Sequence, residues 1–211
     1  PITFTNISKE EISLRNLGQD IPILLNYLPS VVTTSDAGAG IGYTGIRVRG
    51  SDATRVNVTL NGIPYNDAES QGTFWVNLPD FASSVSQIQL QRGVGTSTNG
   101  SSAFGASLNV ETLDLDLDAF SSIATSFGSF KTLKNTFQFS TGMLNDNFSF
   151  SGRLSQINSN GYIDRAASDL DSYFFQTAFQ DDNTLIKALI FGGHEITYQS
   201  WYGTVSYTHL R

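Results

Sequence analysis

The chain has 211 residues, of which 15% are charged, and 19 acidic against 12 basic side chains give a formal net charge of -7. So few Lys and Arg exclude a nucleic-acid surface, which needs clustered positive charge to meet phosphates. With no cysteine there is neither a disulfide framework nor a thiolate metal site, and no run of about 18 apolar residues offers a transmembrane helix, although the short alternating strands of a membrane barrel stay open.

Pro1-Ile2-Thr3-Phe4 carries no signal peptide and reads as the start of a mature or trimmed fragment. Ser8-Lys9-Glu10-Glu11 matches a capping box and predicts a short helix to about Asn16, stopped at Gly18. Asp20 reads as the cap of a second helix over 21–28, with Ile21, Leu24, Leu25 and Leu28 on one face and Pro29 at its end. Helices this short must pack on a sheet. The polar stretch 33–44 reads as a mobile glycine loop. Its Gly40-x-Gly42-x-x-Gly45 has the letters of a dinucleotide fingerprint, but a Thr/Ser/Asp loop precedes it and a strand follows where a helix should.

From 46 to 112 short apolar-polar alternations end on turn formers, the pattern of a small sheet domain. Val56, Val58 and Leu60 share a face, and Asn61-Gly62 signals a hairpin turn. The acidic loop 66–74 leads into Trp75 and has two readings: a solvated loop with Phe74 and Trp75 anchored in the core, or a ligand-facing apex. Asp80 reads as the cap of a helical turn at Phe81-Ala82-Ser83-Ser84, ahead of a strand over 88–91. Gly95-x-x-x-x-Gly100-Ser101-Ser102 imitates a phosphate loop without its lysine.

The succession Leu28-Pro29-Ser30-Val31, Ile46-Arg47-Val48-Arg49-Gly50, Leu60-Asn61-Gly62-Ile63-Pro64, Ile88-Gln89-Leu90-Gln91-Arg92-Gly93 and Phe104-Gly105-Ala106-Ser107-Leu108-Asn109-Val110-Glu111-Thr112 resembles the plug domain of TonB-dependent outer-membrane receptors. Phe104-Gly105 and Ala106-Ser107 depart from the Tyr-Gly and Gly-Gly pairs usual in the last block.

After Thr112 the alternating segments lengthen. Asp114, Asp116 and Asp118 suggest a calcium loop, but Ala119 replaces its turn glycine and Thr125 its bidentate Glu. From Ala119 the period is two. Ile123 and Phe127 share a face, as do Leu133, Phe137, Phe139 and Met143, then Phe148, Phe150 and Leu154, then Tyr173, Phe175 and Phe179, with mostly Ser, Thr, Gln, Asn or Lys opposite. Such alternation fits transmembrane barrel strands or, with the apolar side inward, a secreted two-sheet binding or adhesion module. Short connectors at 144–147 and 181–183 and a long one at 158–171 favour the barrel, while the tight Gly128-Ser129-Phe130 fits that asymmetry less well. A fifth strand over 184–191 is apolar on both faces, with His194 and Glu195 beyond it as a loop-base pair, not a metal site.

The resemblance implies an α+β plug domain at 1–113, a small mixed sheet with short helices, followed at 114–211 by the N-terminal strands of an antiparallel transmembrane β-barrel. Receptors of this kind close with about twenty-two strands, so the chain is a fragment; the tail Ser206 to Arg211 continues no alternation and reads as non-native. It also implies uptake of a scarce ligand, most often a ferric siderophore or other iron complex, through outer-membrane lipid and without cofactor or enzymatic step. A TonB-type energy-coupling protein would act on a segment N-terminal to Pro1. Ligand contacts are expected at the apices, on Tyr43, Asp67, Glu69, Gln71 and Phe74. Arg49 and Arg92 match the plug arginines that pair with barrel glutamates, here on strands beyond Arg211. The seam between plug and wall is expected to be polar and hydrated, because the plug must move.

Overall fold

A computed structural model describes residues 3–94, 104–112 and 115–198. The phosphate-loop imitation at 95–102, Asp114 of the acidic repeat and the tail from Ser206 lie outside them.

The capping box forms as written: Ser8 Oγ accepts from the Glu11 N–H, and the Glu11 carboxylate accepts from the Ser8 N–H at 3.0 Å. It joins strand β1 (Thr3–Ser8) to helix α1 (Lys9–Arg15). Helix α2 is shorter than its apolar face suggested, Ile21–Leu24. Residues 25–28 continue in tighter i→i+3 turns, such as Leu28 N–H to Leu25 O at 3.0 Å, because Pro29 disfavours the α region for Leu28. Ile21, Leu24, Leu25 and Leu28 are nonetheless all buried. Asp20 makes no side-chain cap to α2. Its carboxyl accepts instead from Thr44 Oγ1 at 2.8 Å, and burial, opposed by that bond and one from the Gly42 backbone, pushes its pKa well above the carboxylate range.

The stretch 33–44, expected as a glycine loop, is the turn end of a β-hairpin, with residues 36–43 in turns and bends between two strands. Strand β2 (Val31–Ser35) pairs with β3 (Thr44–Val48) from Val31↔Val48 to Ser35↔Thr44. The β-branched run Val31-Val32-Thr33-Thr34 supplies the strand propensity, and the glycines sit in or beside its turn.

The first half is built on a five-stranded sheet, ordered β1, β6 (Val85–Arg92), β7 (Ala106–Thr112), β4 (Val56–Leu60) and β5 (Ile63–Pro64). Only β4 and β7 run parallel; the other pairs are antiparallel. Asn61 (φ 50) and Gly62 (φ 80) make the left-handed hairpin turn, after which Leu60 faces Ile63. All five residues of β4 are buried, since protein covers both its faces.

The second half is an antiparallel sheet of strands paired in chain order: β8 (Ala119–Gly128), β9 (Thr132–Leu144), β10 (Phe148–Ser159), β11 (Ser168–Gln180) and β12 (Leu185–Thr197). At 10 to 13 residues each, and about 3.4 Å per residue, a tilted strand has the length to cross a bilayer. Outward-facing Phe148 and Leu154 are 53% and 47% exposed, whereas their inward neighbours Ser149, Arg153 and Ser155 are buried. The polar side of these strands, not the apolar side, faces the rest of the described protein, the reverse of what the sandwich reading expects. Phe139, Phe150 and Phe175 group over Gly152, where an added Cβ would fall 2.6 Å from the Phe175 ring.

Strand β12 runs beyond the expected 184–191 because its ladder with β11 continues to Ser168↔Thr197. His194 opposes Asp171 and Glu195 opposes Leu170, on alternate faces, so the two are not a loop-base pair. Among the described residues no group of three metal-ligating side chains occurs. The barrel strands begin at the end bearing the short connectors, where the Met143 N–H bonds to Leu117 O at 3.1 Å.

Candidate functional site

Asp67, Glu69, Gln71 and Phe74 lie on one exposed loop, and the loop is built rather than loose. Asn66 extends β4: its Oδ1 accepts from the Val58 N–H at 2.7 Å, and its Nδ2 donates to Val56 O at 3.0 Å and Gln71 O at 2.9 Å. Asp67 Oδ1 accepts from the Glu69 and Ser70 N–H groups at 3.1 and 2.7 Å, an Asx turn. The Ser70 N–H, with its hydroxyl, draws the Asp67 pKa below the ordinary value. Phe74 and Trp75 divide the two readings between them, since Phe74 is 47% exposed and Trp75 3%. Tyr43 is apart from these four, at the end of the β2–β3 turn, half-buried against Ile41, Val76, Ile157 and Leu170. The loop runs into that same cluster at Val76.

Arg92 is buried and uses its guanidinium inside the first half, donating from Nε to Pro29 O at 3.0 Å and from Nη2 to Thr5 Oγ1 at 2.9 Å. Arg49, left-handed at φ 54, lies beside it, its Nη1 2.8 Å from where a Cβ on Gly93 would stand.

The charged centre that joins the two halves is Asp80, which the sequence presented as a helix cap. It stands at the N-cap position of the 3-10 turn Phe81–Ser84 at φ 51, and its main-chain oxygen accepts from the Ser83 N–H at 3.1 Å, but its side chain makes no cap bond to the backbone. Instead its Oδ1 meets Lys134 Nζ at 2.6 Å and Ser83 Oγ at 2.6 Å, while its Oδ2 meets Ser155 Oγ at 2.6 Å, Thr136 Oγ1 at 2.8 Å and Arg153 Nη1 at 3.3 Å. Lys134 and Thr136 come from β9, Arg153 and Ser155 from β10, and all are buried. Burial is the largest influence on Asp80 and raises its pKa, but Arg153 and Lys134 outweigh it and hold the carboxyl at about 2. The main chain is held as well. Arg153 Nη1 donates to Asp80 O at 2.7 Å, Ser172 Oγ to Pro79 O at 2.9 Å, and Gln138 Nε2 to Ser83 O at 2.7 Å.

The seam is not polar throughout. On the β11–β12 side Phe174 joins the core of the first half, and its ring and that of Phe191 meet Phe81 at 6.0 and 5.3 Å. Tyr65 adds a ring 6.5 Å from Phe191. The expectation of a wholly hydrated contact is corrected: an ionic cluster grips one side and an aromatic patch the other. A sequence signal for the cluster existed, because Lys134 and Arg153 both fall on the side of their strands opposite the phenylalanines. Two bases on the enclosed side of adjacent strands call for a counter-charge wherever the first half excludes water from them.

Residues 1–107 match the family model described as TonB-dependent Receptor Plug Domain. A vitamin B12 transporter of Vibrio vulnificus (strain YJ016) is 27% identical over 172 residues, covering 81% of this chain and 27% of that protein. Among solved structures, the ferric yersiniabactin uptake receptor of Yersinia pestis superposes with a TM-score of 0.68 at 16% identity over 92% of this chain and 31% of its own. The ferripyoverdine receptor of the outer membrane of Pseudomonas aeruginosa gives 0.74 at 14% identity over 90% and 25%. A copper transporter gives 0.73 at 14% identity over 91% and 31%. The chain therefore spans between a quarter and a third of the length of these relatives.

Proposed function

The chain belongs to the TonB-dependent receptor plug-domain family of the Gram-negative outer membrane, and on that footing we propose that it forms the stopper and first wall strands of a receptor for energy-coupled uptake. The observation that carries the reading is the Asp80 cluster. One plug carboxylate is held by two wall cations and three hydroxyls, contacts that water can replace when the plug moves. The wall's share of the aromatic patch, Phe174 and Phe191, lies on β11 and β12.

Porins admit only small solutes, and the outer membrane has no nucleotide source, so the work arrives mechanically. A TonB-type coupling protein would pull on the segment N-terminal to Pro1. The cargo is a scarce ligand, with a ferric siderophore or other iron complex first. Vitamin B12 and copper follow, because relatives are named for them. Tyr43, Asp67, Glu69, Gln71 and Phe74 are the proposed contacts, their acids, amide and rings suited to a polar metal chelate. Arg49 and Arg92 complete the lock with carboxylates on strands beyond Arg211.

The test is growth of a deletion strain on individual iron sources, with vitamin B12 and copper dependence as parallel arms. Loss of growth on one ferric chelate is expected. A defect confined to vitamin B12 or copper overturns the iron assignment, and normal growth in every arm overturns the uptake reading.

A further inference from the structure

We propose that Asn16 latches the N-terminal helix to the barrel wall and is the first wall anchor met by a pull from the N-terminal side. The inference rests on the uptake reading above. Asn16 ends α1, its N–H bonding to Ile12 O at 2.9 Å, and its side chain works in two directions. The Nδ2 donates to Ser83 Oγ at 2.8 Å and to Asp80 Oδ1 at 3.4 Å, while the Oδ1 accepts from Lys134 Nζ at 3.2 Å. A single amide thus ties together the helix, the turn at Phe81–Ser84 and strand β9.

The chain after Asn16 is shaped to the same lysine. A Cβ added at Gly18 would lie 3.3 Å from Lys134 Cδ, and Gly18 holds φ +113, so the lysine stem runs across a position that only glycine fills without strain.

Besides Asn16, α1 is held in the plug by Ile12, which joins the core of the first half. Of its residues only Ile12 is buried, and Leu14 is 82% exposed. Arg15 stacks on the Tyr27 ring at 3.7 Å, but on the surface, where such contacts are weak. Asn16 bonds to charged groups inside the protein, where hydrogen bonds are stronger. A cavity of about 200 Å³ adjoins the latch, lined by Lys9, Ser13, Asn16, Ser83, Lys134 and Gln138 among others, so α1 has room to shift once Asn16 lets go.

A pull from the N-terminal side therefore strips β1 from β6, then draws α1 taut against Asn16. The consequence can be read by single-molecule pulling on the N-terminus of the full-length receptor in a lipid bilayer, with no ligand present. The wild type should show a force peak when the chain through Asn16 is drawn out, about 50–60 Å beyond what residues before Pro1 contribute. Asn16→Ala should lose that peak while later peaks keep their force. Lys134→Met should lower it, and the surface variant Arg15→Ala should leave it in place. Absence of the wild-type peak, or its survival in both Asn16→Ala and Lys134→Met, overturns the latch. Failure of the uptake reading registers separately, as a strain that needs no iron chelate, vitamin B12 or copper through this receptor while the peak persists.

Discussion

In the plug sheet, β4 is covered on both faces, and Val56, Val58 and Leu60 meet protein while Thr59 bonds Asn109 at 2.8 Å. In the wall, β10 points Phe148, Phe150 and Leu154 outward to bare surface and Ser149, Arg153 and Ser155 inward to the plug. The same period-two alternation thus serves opposite ends. A plug strand alternates around a dry core, whereas a wall strand keeps its apolar side for lipid and spends its polar side on the neighbour it encloses. The contrast explains why charges at the seam are buried at all. Around Asp80 the inward residues of β9 and β10 are polar, so there the wall binds the plug with hydroxyls and two cations, and the plug answers with one acid.

The sharpest way to break this contrast is Asp80→Ala, which strands Lys134 and Arg153 without their counter-charge. Docking of the plug should weaken by roughly 3–5 kcal/mol, read as a lowered urea midpoint for plug release in the full-length protein. Phe174→Ala attacks a place where the wall behaves like the plug core and should cost about 3 kcal/mol in the same assay; a cost near zero would mean that the aromatic patch does not hold. Acid tests the ionic side. Because the folded pKa of Asp80 is depressed from 3.8 to about 2, its contribution of roughly 2 kcal/mol is present above pH ~4 and is lost as pH falls toward 2. Plug release should therefore steepen in that window in the wild type and not in Asp80→Asn. The smallest effect is expected from Ser8→Ala, which removes a local cap and should cost about 1 kcal/mol. Faster hydrogen exchange in α1 with an unchanged seam is the expected signature.

These effects divide as the legibility of the chain divides. The capping box at Ser8, the Asn61-Gly62 turn and the outward phenylalanines were readable because each is decided within a few residues or by one periodicity. The β2–β3 hairpin was hidden by composition, its β-branched run ending in glycine-rich turn text. Strand β12 outran its apolar segment because pairing with β11 carried it through His194 and Glu195. Asp80 was half legible for a related reason: the turn forms at Phe81–Ser84 with Asp80 at its N-cap position, but its carboxylate is claimed by bases that only the wall strands supply, more than fifty residues later in the sequence. Among the ligand-facing candidates, the loop carrying Asp67, Glu69, Gln71 and Phe74 was legible as one unit. The half-burial of Tyr43 against Ile157 and Leu170 was not, since it depends on how plug and wall dock.

A plug acid paired with wall cations keeps the plug seated. Small-solute conductance through the full-length receptor in planar bilayers tests it most directly, by comparing wild type, Asp80→Ala and a triple variant that also carries Lys134→Met and Arg153→Met. The wild type should be closed, the single variant should leak, and the triple variant should close again, because an ion cluster replaced as a whole by apolar residues leaves no charge uncompensated. A single variant as tight as the wild type, or a triple variant that leaks as much as the single, would contradict the account.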